Sequence, residues 1–284
     1  TKGYNIDNPE NKILLIWNHG GNETKEKYCN YSEDLTFISM LSGAKIGDKE
    51  IIVWMNCLIT NTRHLGATGG WEAGWKFRGS AKKCIKKGYG HTLKCPFWKD
   101  YLENLSTDVR MKVTEDVVKK FNSNGVPFKQ IFLAGHSCGA WNAIRYAAFK
   151  KELFGGTIAF NPNCWPREKN NPVRQYLVEE LKSAEHANSL VFASPDDLTH
   201  DWKATSTDLK WIADIPGVKW FEYEEGVKVN GKQCKWNDGT KVKNGHLIVF
   251  AKCSWPHQKL VLEFIRESLI NDKIIIVDSK ISRK

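Results

Sequence analysis

Ser137 stands in Gly135-His136-Ser137-Cys138-Gly139, a G-x-S-x-G pattern. An apolar run (Ile131, Phe132, Leu133) precedes it, and Ala140, Ala143, Ile144, Ala147 and Ala148 recur at helical spacing behind it. Strand, tight turn and helix in that order lift a serine hydroxyl clear of a sheet, and the glycines admit a strained turn and a close helix–strand approach. Such a hydroxyl becomes a useful nucleophile only when a base takes its proton and a third group orients that base. Candidates for both follow in the chain. The acid is Asp197, in the Ser194-Pro195-Asp196-Asp197 loop directly after the apolar run SLVFA, with Asp196 as the alternative. The base is His246, behind Gly245 in the interval before the closing helix. His200 lies too near the acid loop, and His257 falls at the start of that helix. Charge developing on a carbonyl oxygen needs two fixed donors. The backbone N–H of Cys138 supplies one, and Gly21, in the His19-Gly20-Gly21 turn after the first strand, supplies the other. Substrate contacts are expected from His136, beside the nucleophile, and from Trp165, whose loop follows a strand end.

These residues need a scaffold that gathers distant loops at one end. The chain alternates apolar runs with helical periodicity, the pattern of an α/β domain with a mainly parallel central sheet and helices on both faces. Strands are expected at 12–17 (KILLIW), 50–57, 131–133, 156–160, 189–193 and 218–223. Helices are expected at 33–41, from the Ser106-Thr107 cap to Asn124-Gly125, behind Ser137, at 173–184 and at 256–269. In the second of these, Val109, Val113, Val117, Val118 and Phe121 share one face. There is no internal repeat or linker, so residues 1–284 read as one domain. Residues 61–105 form an irregular insertion rich in aromatics, with two of the eight cysteines. A segment that long without periodicity is more often functional than idle. Trp71, Trp75 and Trp98 lie in it, and together with Trp165 they suit an aromatic-lined cleft for a flat or sugar-like group.

Bulk properties narrow the classes. At 41% hydrophobic and 26% charged residues, with no 18-residue apolar run, the composition is that of a soluble globular protein without an integral membrane segment. The net charge of +10 is spread over many lysines, and no nucleic-acid-binding pattern accompanies it. None of the eight cysteines sits in a C-x-x-C pair, which argues against structural zinc and a dithiol redox site. Disulfides are expected instead, preferably Cys84–Cys95 and Cys234–Cys253, and with them an oxidising, secreted or periplasmic setting. Free thiols would point to the cytoplasm. The chain opens at Thr1 with no signal-type segment, as a processed exported chain would, and as a trimmed one would.

The His-Gly-Gly turn, the Ser137 pattern, Asp197 and Gly245-His246, taken in that order across 12–269, resemble the α/β-hydrolases. Within them the layout is similar to the compact serine esterase, dienelactone-hydrolase-like and polyhydroxybutyrate-depolymerase-like branch. The resemblance implies acyl transfer to water through a serine ester, on a small-molecule or polymer ester, without metal or organic cofactor. Two departures stand out. The usual pair of strands before the His-Gly strand is absent, so the sheet is short at its N-terminal side, and the 61–105 insertion has no counterpart. Two other readings are a serine peptidase of the same fold and a non-catalytic protein binding carbohydrate or envelope polymer. The intact serine, acid and histidine set speaks against the binder, which gains nothing from a strained turn. Substrate identity and oligomeric state are not written in the sequence.

Overall fold

Continuous apolar runs such as KILLIW and SLVFA can be buried on both faces only inside a sheet covered by helices. The computed structural model has that architecture and describes residues 4–20, 36–56, 83, 86–87, 106–164, 172–197 and 206–281. Gly21, Trp165, Cys84, Cys95 and all of the 61–105 insertion except Lys83, Lys86 and Lys87 lie outside the described residues. The central sheet contains β1 (Lys12–Asn18), β2 (Lys45–Ile46), β3 (Lys49–Met55), β4 (Ile131–His136), β5 (Gly156–Phe160), β6 (Ser189–Ala193) and β7 (Val218–Glu222). Their order is β2-β3-β1-β4-β5-β6-β7. Every neighbouring pair is parallel except the two-residue edge strand β2, which runs antiparallel to β3.

Side chains alternate across the sheet and form two cores. On one face Leu14, Ile16, Ile131, Leu133, Ala159 and Val191 pack against α1 (Ser106–Ser123), α2 (Cys138–Phe149) and α3 (Pro172–Lys182). On the other, Leu15, Trp17, Phe132, Ile158, Phe160 and Phe192 pack against α4 (Gln258–Ile281) and a single helical turn at Thr36–Ser39. Phe160 and Phe192 stack with ring centroids 4.8 Å apart. Each fully buried side chain of this size contributes roughly 1.5–3 kcal/mol, so the doubly covered sheet is the rigid part of the molecule.

The strands fall where the apolar runs put them, and the differences have local causes. The helix expected at 33–41 is described only as one turn, because residues 21–35 lie outside the described set. The closing helix begins at Gln258, two residues after Pro256, and runs on to Ile281. Pro256 sits in the preceding 3-10 segment Lys252–His257, where the missing N–H is tolerated. Of the expected buried stripe of α1, Val117, Val118 and Phe121 are buried and Val113 is half-buried, while the Val109 side chain lies outside the described residues; Arg110 and Thr114 are buried on the same helix. Two further features were not anticipated: a 3-10 segment at Ser206–Asp214 and the hairpin of β8 (Lys228–Val229) and β9 (Lys232–Gln233). The hairpin turns on Asn230-Gly231 at φ 52° and 72°, the double positive φ that a two-residue turn requires. Among the described residues no helix is long and apolar enough to cross a membrane.

The two cores meet the site at one backbone crossing. A Cβ on Gly139 would lie 2.1 Å from the carbonyl oxygen of Asn18 at the end of β1, and a Cβ on Gly135 would lie 2.4 Å from the Gly139 carbonyl carbon. At this crossing helix α2 therefore meets the sheet backbone to backbone. Gly139→Ala should cost upward of about 3 kcal/mol, since both partners are main chain and neither can give way. Gly231→Ala, which meets nothing but demands a positive φ, should cost about 1–2 kcal/mol. Urea unfolding of the two variants checks the difference, and equal midpoints would contradict the crossing.

Candidate active site

Ser137 occupies the turn between β4 and α2 at φ 55° and ψ −121°, a conformation a serine adopts only when its surroundings hold it there. Three backbone bonds do so. Its N–H donates to Phe160 O at 3.1 Å, and its carbonyl accepts from Trp141 N at 3.0 Å and from Asn163 N at 3.2 Å. The hydroxyl donates to Asn163 O at 3.3 Å.

The acid and histidine loops emerge from the same end of the sheet. Asp197 follows β6 and is 3% exposed, while His246 is 4% exposed in the 3-10 segment Gly245–Phe250. His246 Nδ1 lies 2.7 Å from Asp197 Oδ2. A neutral imidazole that donates from Nδ1 to a carboxylate keeps Nε2 as its basic nitrogen. Of the two candidate carboxylates, Asp196 is engaged elsewhere, accepting from Val227 N at 2.9 Å. Gly245 lets the histidine loop close on the acid loop: a Cβ there would lie 1.9 Å from Ser194 Oγ, and its N–H donates to Asp196 O at 2.9 Å.

His136 corrects an expectation. Its ring is buried and its Nε2 donates to the His246 carbonyl at 2.7 Å, with the two rings 4.3 Å apart. It is thus a brace for the histidine loop and offers no open face to a substrate. Asn161 works beside it. From φ 45° at the end of β5, its Nδ2 donates to the carbonyls of Gly245 and His246 at 3.1 and 3.2 Å. Asn161 escaped the sequence reading because an asparagine after a strand looks like any turn residue.

The loop after β1 reaches the serine. A Cβ on Gly20 would lie 3.1 Å from Ser137 Cβ. The Gly20 carbonyl accepts from His19 Nδ1 at 2.7 Å and from Arg110 Nη1 at 3.0 Å, and Arg110 Nη1 also reaches His19 O at 3.2 Å. Arg110 comes from α1, and its signal was a charged residue in register with the buried stripe. One turn on, Thr114 Oγ1 donates to the Arg110 carbonyl at 3.0 Å and approaches Asn18 Oδ1 at 3.3 Å. Asn56 Nδ2 adds bonds to both Asn18 Oδ1 and Thr114 Oγ1.

Two disulfides are described. Cys234–Cys253 is the expected bridge, and it joins the β8–β9 region to the segment after His246. Cys138–Cys164 was not foreseen. It ties the residue after Ser137 to the loop that follows β5.

The parallel sheet with its single antiparallel edge strand carries the strained serine turn between β4 and α2, and serine, aspartate and histidine follow in that order along the chain. The fold is that of the α/β-hydrolases. Among the described residues no strand precedes β1, and the antiparallel edge position is taken by β2. No family model and no curated protein sequence matches the chain. Among solved structures it is similar to Est1E from Butyrivibrio proteoclasticus, at 14% identity over 94% of this chain and 90% of that one, with a TM-score of 0.45. It is also similar to a phospholipase/carboxylesterase from Dyadobacter fermentans, at 15% identity over 75% and 80% of the two chains, TM-score 0.38. A third is the S-formylglutathione hydrolase FrmB from Staphylococcus aureus, at 12% identity over 91% and 82%, TM-score 0.40.

Burial holds two histidines of this hydrolase-fold site neutral. His136 falls from 6.5 to about 3, through burial and then the neighbouring His246. His19 falls from 6.5 to about 4, through burial and then the Arg110 charge. The unfolded chain binds these protons near pH 6.5 and the folded chain does not, so stability is lost as pH drops from 6.5 toward 3. Each histidine adds a slope of up to about 1.4 kcal/mol per pH unit. Urea midpoints measured through this window should fall steeply. His136→Gln, which keeps the donor to His246 O, should remove one proton from the slope, and an unchanged slope would contradict the assignment.

Proposed function

We propose that the protein is a serine hydrolase acting on a carboxylic ester. The observation that carries the reading is the buried 2.7 Å pair of His246 Nδ1 and Asp197 Oδ2, on a loop gripped through the His246 carbonyl by His136, the residue before a serine held at positive φ. In this reading Ser137 Oγ leaves Asn163 O by rotation about χ1 and attacks the ester carbonyl carbon, while its proton passes to His246 Nε2. Asp197 keeps the imidazole in the required tautomer and stabilises the imidazolium. The N–H groups of Cys138 and Gly21 take the oxyanion. Collapse of the tetrahedral intermediate expels the alcohol, which receives the proton from His246, and leaves an acyl group on Ser137. Water then repeats the sequence, with His246 as base, and frees the acid. Each N–H donor is worth about 2.7–4 kcal/mol of barrier.

Trp165 remains our proposed substrate contact, next in sequence to Cys164 of the Cys138–Cys164 bridge. The two bridges support an oxidising setting, and we assign the protein to the secreted or periplasmic space on that basis.

A fluorophosphonate probe tests the reading without knowledge of the natural substrate. Wild type should label and Ser137→Ala should not. His246→Ala should lower ester turnover by about 10⁴-fold or more and Asp197→Asn by a similar factor, as expected for groups that act as a unit. Wild type that never labels favours a binding protein on this scaffold. Faster turnover of peptide amides than of short-chain, long-chain and aromatic esters favours the peptidase.

A further inference from the structure

Among the described residues two arginines are buried, and they are treated differently. Arg145, 3% exposed, is neutralised by Glu180, which meets its Nε and Nη2 at 2.6 and 2.8 Å, and by Asp108 at 2.8 Å. Arg110, 2% exposed, has no carboxylate partner among the described residues. Among the described residues its hydrogen bonds run from Nη1 to the carbonyls of His19 and Gly20, and Nε and Nη2 are buried with no partner there. Burial alone lowers it to about 10, so it keeps its charge at neutral pH. An uncompensated buried guanidinium is costly, and a methionine or leucine in the α1 stripe would pack without that cost.

We infer that Arg110 is a positioning residue of the proposed oxyanion loop, fixing its peptide groups toward Ser137 and supplying a permanent positive field there. The inference rests on the serine-hydrolase reading. A peptide unit is planar, with its C=O and N–H pointing opposite ways. Fixing the His19 carbonyl on the guanidinium therefore turns the Gly20 N–H away from it. Gly20 itself lies against the elbow, with the place of its Cβ 3.1 Å from Ser137 Cβ, so the segment that Arg110 grips is one that borders the serine. His19, kept neutral by burial and by Arg110, seconds the grip on the Gly20 carbonyl. The charge is already in place before reaction, and the buried surroundings screen it little, so it favours the state in which the carbonyl oxygen has become negative.

Arg110→Met removes fork and charge, and Arg110→Lys keeps the charge but not the two-carbonyl grip. Steady-state kinetics on a p-nitrophenyl ester and the second-order rate of fluorophosphonate labelling are measured for both, with near-UV circular dichroism to check folding. Arg110→Met should lose about 10²-fold in kcat and in labelling rate with KM within about threefold of wild type, and Arg110→Lys about tenfold in kcat. A folded Arg110→Met with wild-type kcat, or with its loss confined to KM, overturns the assignment. If Arg110→Met does not fold, Arg110→Lys decides: lowered kcat at unchanged KM supports it, and wild-type kcat overturns it. Ser137→Ala separates the two levels. Activity retained there defeats the serine reading itself, whereas a silent Ser137→Ala beside an unimpaired Arg110→Met defeats only this inference.

Discussion

One backbone crossing sets the geometry of this molecule. At Gly139 the first turn of α2 lies so close to the end of β1 that a methyl group would meet the Asn18 carbonyl at 2.1 Å. The contact fixes how deeply α2 sinks onto the sheet, and through it the turn at Ser137 is forced to φ 55°. It also places the His19-Gly20 segment, which continues directly from Asn18, against the serine. Three features read as separate motifs in the chain, the strained serine, the small-residue helix start and the glycine loop, are thus aspects of one packing event. The strain at Ser137, on the order of 1–3 kcal/mol, is covered by the apolar burial of β4 and α2 around it.

A second layer holds the histidine. The His246 carbonyl accepts from both His136 and Asn161, and its imidazole from the opposite side meets Asp197. A residue at the start of a short 3-10 segment has little secondary structure of its own to fix it. Here the fixing comes from the ends of β4 and β5, the most rigid part of the sheet. Loop residues placed by a rigid scaffold in this way combine precision with freedom of sequence around them.

The strands were legible because burial on both faces leaves long apolar runs, and β5 and β6 coincide with the runs GTIAF and SLVFA. Ser137, Asp197 and His246 were named from chain order and position after strands, and the structure pairs the last two. The choice of Asp197 over Asp196 rested on spacing, and the structure separates the two by giving Asp196 to Val227 N. His136 was misread, since adjacency to the serine in sequence says nothing of which way a strand residue faces; at the end of β4 it points into the packing under His246. Arg110, Asn161 and the Cys138–Cys164 bridge went unread for a shared reason. Each acts through partners tens of residues distant, and no local pattern records such a pairing. The β8–β9 hairpin is different, because its Asn230-Gly231 turn signal was present in the sequence and was passed over.

The Cys234–Cys253 bridge has one more consequence. The ring of chain it closes contains His246, and the exposed stretch 237–241 lies on the far arc of that ring. A protease that severs the backbone in this stretch releases no fragment, because the two pieces stay joined through sulfur. The grip of Asn161 and His136 on the His246 carbonyl lies outside the severed arc and is not interrupted. The molecule is therefore equipped to survive nicking in this exposed stretch with its imidazole still docked.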